Sequence, residues 1–254
     1  MSTSGSIGFN PGLGHPLWVR FAHWIGAAGV LMLAVTGFVI LMAHPRLYWG
    51  EVGNGLTPPL IELPISRNYR HVTFEVTASA FPDGGGPVNA RTYHIFNQNR
   101  WARSLHFLAA WVFLLTGVLY LVAALISGHL RQHLVPGVRD LTPRLLWQDL
   151  RAHLVRPLPH QPGGPPYNLL QKCTYFLVIC GALPLMVVTG LGMSPAINAT
   201  YPFVAAVFGG SQSARTLHFV VFCALVFFLV IHLVMVVRSG FRRQMRAMTL
   251  GSSA

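Results

Sequence analysis

Four apolar runs divide the chain, at about 17–43, 102–128, 170–193 and 214–238. Each is long enough to cross a bilayer as a helix. Polar, glycine- and proline-bearing stretches separate them, at 44–101, 129–169 and 194–213. The fourth run, Ala214 to Arg238, is the most informative, because it carries His218 and His232. An ionisable side chain inside a membrane helix is costly and marks a functional site by default. The two histidines stand two heptads apart. That is about four turns, with about 40° of residual rotation and a rise of about 21 Å. Both rings therefore lie on nearly one face, one toward each membrane surface. In a left-handed bundle both stay on the seam that faces the partner helices.

The pattern predicts an all-α fold: an integral membrane four-helix bundle forming one domain over 1–254. A long insert, about 44–101, joins spans one and two. Within it HVTFEVT, residues 71–77, alternates like a strand. Between spans two and three, Thr142-Pro143 reads as an N-cap followed by a proline at the first helical position. Leu145, Leu146, Leu150 and Leu154 follow at near-helical spacing beside Arg144 and Arg151. That predicts a short helix lying on the membrane surface. Pro184 predicts a kink in the third span.

Composition agrees with this reading. Hydrophobic residues make up 53% of the chain and charged residues 9%, a membrane balance. The net charge of +12 does not imply nucleic acid, because the arginines sit at the ends of apolar runs. Arg131, Arg139, Arg144, Arg151 and Arg156 crowd 129–169, and Arg242, Arg243 and Arg246 follow the last span, whereas 194–213 has no charge. The positive-inside rule then places 129–169 and the C-terminus in the cytoplasm and 194–213 outside, which puts both termini inside and 44–101 outside. Segment 44–101 itself carries Arg46, Arg67, Arg70, Arg91 and Arg100, but at about 60 residues it is at the length where the rule fades. The first apolar run is too long for a signal-peptide core and reads as a retained helix. Cys173, Cys180 and Cys223 all fall inside apolar runs, which argues against a disulfide framework. No C-x-x-C-H occurs, so covalently attached c-type haem is not indicated.

Two more histidines complete a pattern. VRFAHW puts His23 near the inner end of span one, and ARSLHF puts His106 near the outer end of span two. His23 then shares a depth with His232, and His106 shares one with His218. A lone histidine would read as a hydrogen-bonded core group. Two pairs from opposing helices, at two depths, suit bis-histidine ligation of two b-type haems. Arg20, Arg103 and Arg215 each precede a histidine by three residues, on the same helix face. Arginine pairs well with carboxylates, so these three are candidates for the haem propionates; anchoring to lipid headgroups is the alternative. Thr-Gly recurs at Thr36-Gly37, Thr116-Gly117 and Thr189-Gly190. Glycine there lets either a porphyrin or a neighbouring helix approach the backbone closely.

The residues HPLWVRFAHW, ARSLHF and the paired histidines of the last span resemble the di-haem cytochrome b family. That family includes bacterial cytochrome b561 and the b-type subunits of Ni/Fe hydrogenase and formate dehydrogenase. RLYWGE, the long outer insert and YNLLQKCTYF resemble the thiosulfate reductase cytochrome b subunit branch. The resemblance implies axial iron ligation by His23 with His232 (inner haem) and by His106 with His218 (outer haem). It implies a subunit in the bacterial inner membrane that passes electrons between the quinone pool and a periplasmic redox enzyme carrying a molybdenum cofactor. No nucleophile–base pair, phosphate loop or metal-hydrolase motif is visible, so an electron-transfer subunit is expected rather than a complete enzyme, with no catalytic residue of its own. In 44–101, Tyr48, Trp49, Tyr69 and Tyr93 with Arg67, Arg70 and Arg91 are the residue types of interface hot spots. Two other readings stay open. One is a stand-alone haem b quinol oxidoreductase acting on a small oxidant. The other is a haem-free transporter with histidine proton relays.

Overall fold

The computed structural model describes residues 16–53, 57–65, 99–130, 134–137, 141–155 and 168–251. The strand expected at 71–77 lies outside them, as do Arg67, Tyr69, Arg70, Arg91, Tyr93, Arg131, Arg139 and Arg156. The four expected spans are helices: α1 Leu17–Ala43, α2 Asn99–Ile126, α4 Leu169–Gly192 and α7 Ser211–Arg238. All four are long and apolar enough to cross a membrane. Their large side chains are widely exposed, Leu31, Leu115 and Phe227 among them. Bare apolar helix faces of this kind are stable in lipid and not in water. The fold class is all-α, of the membrane helical-bundle kind.

Shorter elements join the spans. Strands β1 Arg46–Leu47 and β2 Ile61–Glu62 pair antiparallel, with Arg46 opposite Glu62. Helix α3 Pro143–Val155 forms where the leucine spacing predicts it. Thr142 starts it as its N-cap, with Leu145 N–H 3.4 Å from the Thr142 hydroxyl. Helices α5 Pro195–Thr200 and α6 Phe203–Ala206 occupy the uncharged linker. Helix α8 Phe241–Thr249 follows the last span and sets three arginines against Met and Ala positions, the make-up of a helix lying in a membrane interface.

The chain clusters into two compact units. The first takes in the described parts of Met1–Ala27, Leu115–Leu183 and Ala224–Ala254; the second takes in those of Ala28–Leu114 and Pro184–Cys223. In the first unit, α4 begins with a reciprocal cap, since Asn168 N–H donates to Gln171 Oε1 at 3.1 Å. Asp149 of α3 adds a second acceptor, 2.7 Å from Leu170 N–H. This carboxylate faces the positive end of the α4 dipole. Val178–Ala182 is a π-helical turn, in which Leu183 N–H reaches back to Val178 C=O. The feature expected at Pro184 takes this form. Proline has no N–H to give the turn behind it, and the hydrogen-bond ladder shifts just ahead of it. At the tail, Arg20 Nη1 donates to Thr249 C=O at 2.7 Å and Trp24 Nε1 to Met248 C=O at 3.0 Å. These two α1 side chains satisfy carbonyls that α8 leaves open at its C-terminus.

In the second unit, residues 44–53 form a belt over the N-terminus of α7. Gly50 C=O accepts from Gln212 N–H at 3.1 Å and Ser213 N–H at 3.2 Å. Ser213 Oγ accepts from Gly50 N–H at 2.8 Å. The Glu51 carboxylate accepts from both Ser211 N–H and Ser211 Oγ, each at 3.1 Å. Thr216 Oγ1 donates to Tyr48 C=O at 2.6 Å, and Arg215 donates to His44 C=O. The first N–H groups of α7 have no partner within their own helix, and the belt supplies them. It also sets a negative charge on the positive end of the dipole.

Gly210 closes the approach, at φ +120°, where an added Cβ would lie 2.5 Å from the Gly50 carbonyl carbon. Replacing Gly210 with Ala is expected to lower the thermal midpoint of the purified protein. The left-handed backbone alone costs about 1–3 kcal/mol for a non-glycine residue, and the clash adds to it. An unchanged midpoint would show that the belt does not constrain α7.

Candidate functional site

The four histidines fall two to a unit. In the first unit α1 presents His23 and α7 presents His232. Their ring centres are 6.4 Å apart with the planes inclined at 46°. Aromatic neighbours restrict both rings. Trp24 meets His23 edge-on at 5.3 Å, and Phe228 stacks on His232 at 5.8 Å and 29°.

In the second unit α2 presents His106 and α7 presents His218, each held by a threonine of another span. Thr36 Oγ1 of α1 is 2.9 Å from His106 Nδ1. Thr189 Oγ1 of α4 is 3.0 Å from His218 Nδ1. Both threonines are fully buried, at 0% exposure. Each is followed by a glycine that lies against the same ring. A Cβ on Gly37 would sit 3.3 Å from His106 Cε1, and one on Gly190 would sit 3.5 Å from His218 Cε1. The group that the Thr-Gly pairs admit is thus an imidazole of the neighbouring helix at two of the three positions. At Gly117 no atom of another described element lies within 4 Å of an added Cβ. The threonines themselves were missed by sequence reasoning, which weighed only the glycines. Their signal was present as the repeat of Thr beside each such Gly.

The three candidate arginines end differently. Arg20 bonds the tail of α8, and its guanidinium lies where a side chain at Gly251 would go, with Nη1 2.8 Å from that Cβ position. Its Nε is buried with no hydrogen-bond partner among the described residues. Arg215 bonds the His44 carbonyl, while Arg103 is exposed. Among the residues of interface hot-spot type, Tyr48 is a correction. It is 5% exposed, covered within the belt, whereas Trp49 is 58% exposed. Its ring lies against Gly53, where an added Cβ would lie 2.5 Å from Tyr48 Cδ2.

Among the described residues no group of three or more His, Cys, Asp or Glu could hold a bare metal ion. The described residues offer histidines in pairs instead. Two axial imidazoles suffice for an iron whose other four ligands come from a porphyrin. Apolar spans carrying histidines in pairs define the class of membrane b-type cytochromes. A family model described as prokaryotic cytochrome b561 matches residues 14–251, and the chain belongs to that family. It is a haem b electron-transfer protein of the bacterial membrane. A protein of Azospira oryzae described as "Putative protein-methionine-sulfoxide reductase subunit YedZ1" is 26% identical over 222 residues, which span 87% of this chain and 89% of that protein. No solved structure matches the chain significantly.

Proposed function

We propose that the chain is a di-haem subunit that passes electrons between the quinone pool and a redox enzyme outside the inner membrane. His23 and His232 ligate the inner haem, and His106 and His218 the outer haem. The observation that carries this reading is the His23–His232 separation of 6.4 Å. A separation of this order would let each imidazole give one ring nitrogen to a metal held between them, at bonds of about 2 Å. The second pair is supported by its chemistry, since both rings have Nδ1 engaged and Nε2 left over for iron. The bound groups would supply one-electron transfer; the protein supplies ligation, spacing and an apolar surrounding.

Arg20, Arg103 and Arg215 are assigned to haem propionates. The unpartnered Nε of Arg20 supports the inner contact, because a buried guanidinium nitrogen calls for an acceptor. The charge pattern of 129–169 and the tail supports cytoplasmic termini, and the alternation of four spans then puts 44–101 in the periplasm. Trp49, Val52 and Leu60, all exposed in that segment, support its role as a docking surface. The relative's description as a reductase subunit supports membership of a larger redox complex. A molybdenum-cofactor enzyme is the partner that the thiosulfate reductase-like resemblance suggests.

The His23→Ala and His232→Ala variants are expected to retain half of the wild-type haem by pyridine haemochrome assay. His106→Ala and His218→Ala should retain the other half. Folded variants that keep the full complement would remove those residues from the ligand set. For the partner, replacing 52–90 with a Gly-Ser linker should abolish co-purification of the redox enzyme while both haems stay. Electron transfer at the normal rate through the shortened protein would end the docking assignment.

A further inference from the structure

The second unit contains the same constellation twice. Span one offers Thr36-Gly37 to His106, and span three offers Thr189-Gly190 to His218. The receiving segments match as well, ARSLHF against ARTLHF, and the alanine four residues before each histidine is fully buried, Ala102 and Ala214 both at 0% exposure. Each threonine hydroxyl also lies on the carbonyl one turn back in its own helix. Thr36 Oγ1 is 2.7 Å from Met32 C=O, and Thr189 Oγ1 is 2.6 Å from Leu185 C=O.

A threonine hydroxyl has one proton to give. These short contacts commit it to the helix carbonyl, so toward the imidazole the oxygen can only accept. The donor is then Nδ1–H, and the tautomer is settled with the lone pair on Nε2. Glycine at the next position brings the ring against the helix backbone: a methyl group at Gly37 would press on His106 Cε1 at 3.3 Å, and one at Gly190 would just touch His218 Cε1 at 3.5 Å.

We propose that Thr36 and Thr189 are paired positioning residues that hold His106 and His218 with Nδ1 protonated and Nε2 directed to the iron of the outer haem. This rests on the assignment of those two histidines as its ligands. A hydrogen bond accepted from Nδ1–H makes an imidazole a more basic ligand, and a more basic ligand favours ferric iron. Loss of either threonine hydroxyl therefore raises the potential of that haem.

The test uses the full chain in detergent or nanodiscs, with Thr36→Val, Thr189→Val, Thr36→Ser and Thr189→Ser. Each haem is assigned by its absence from His106→Ala or His23→Ala. The valine variants keep the shape and lose the hydroxyl. They should shift the outer haem potential upward and move its low-spin ferric EPR signal, leaving the inner haem unchanged. The serine variants should return both readouts to wild type. Valine variants that match wild type overturn the proposal and leave the haem assignment standing. If a valine variant fails to load the outer haem, restored loading in the serine variant supports the proposal and failed loading overturns it. A wild-type protein that holds no haem dependent on His106 overturns the ligand assignment and the clamp together.

Discussion

An imidazole inside a membrane span has no water to bond, so its orientation is set by whichever polar atom a neighbouring helix offers at that depth. In the second unit that atom is a threonine oxygen, twice, and the glycine beside it admits the ring. An unsatisfied polar group in lipid costs several kcal/mol. The helices that carry these threonines and histidines are therefore fixed in register as well as in distance. A one-residue slip of α1 or α4 would rotate the hydroxyl away and bring the next side chain against the ring.

The same constraint governs the helix ends. Of the four N–H groups that open α7, the belt satisfies three, Ser211 through the Glu51 carboxylate and Gln212 and Ser213 through the Gly50 carbonyl, while Ala214 N–H bonds Gly210 C=O. The belt fixes the height of α7, and with it His218. At the other end of the chain α1 side chains bond the last carbonyls of α8, close in sequence to His23. In both units, residues that position a histidine helix also close an open helix end. The resemblance between ARSLHF and ARTLHF fits two helix pairs built to one plan, each with a Thr-Gly span beside a histidine span.

The spans were legible because runs of this length and apolarity have few other solutions than a membrane helix. Their ends were less so. The fourth span begins at Ser211 and not at Ala214, because its cap is Glu51, far away in sequence. Asp149 as a second cap for α4 was hidden for the same reason. The paired histidines could be read from depth alone, since spacing along a helix converts directly into height. The threonines could not, because a hydroxyl mid-helix usually bonds its own backbone, and only the neighbour's register reveals the second bond. Tyr48 misled because residue type says nothing of which side of a loop is covered. The arginines kept their register with the histidines, yet two of them turned to backbone carbonyls that no local pattern announces.

The central claim is that four histidines from three spans hold two haems. Quantitative EPR of the oxidised, purified chain tests it most directly, because bis-histidine ferric haem is low-spin. The account predicts low-spin signals that integrate to two haems per polypeptide, with no high-spin species. A high-spin signal, or a low-spin intensity of one haem or fewer per well-folded chain, would contradict it.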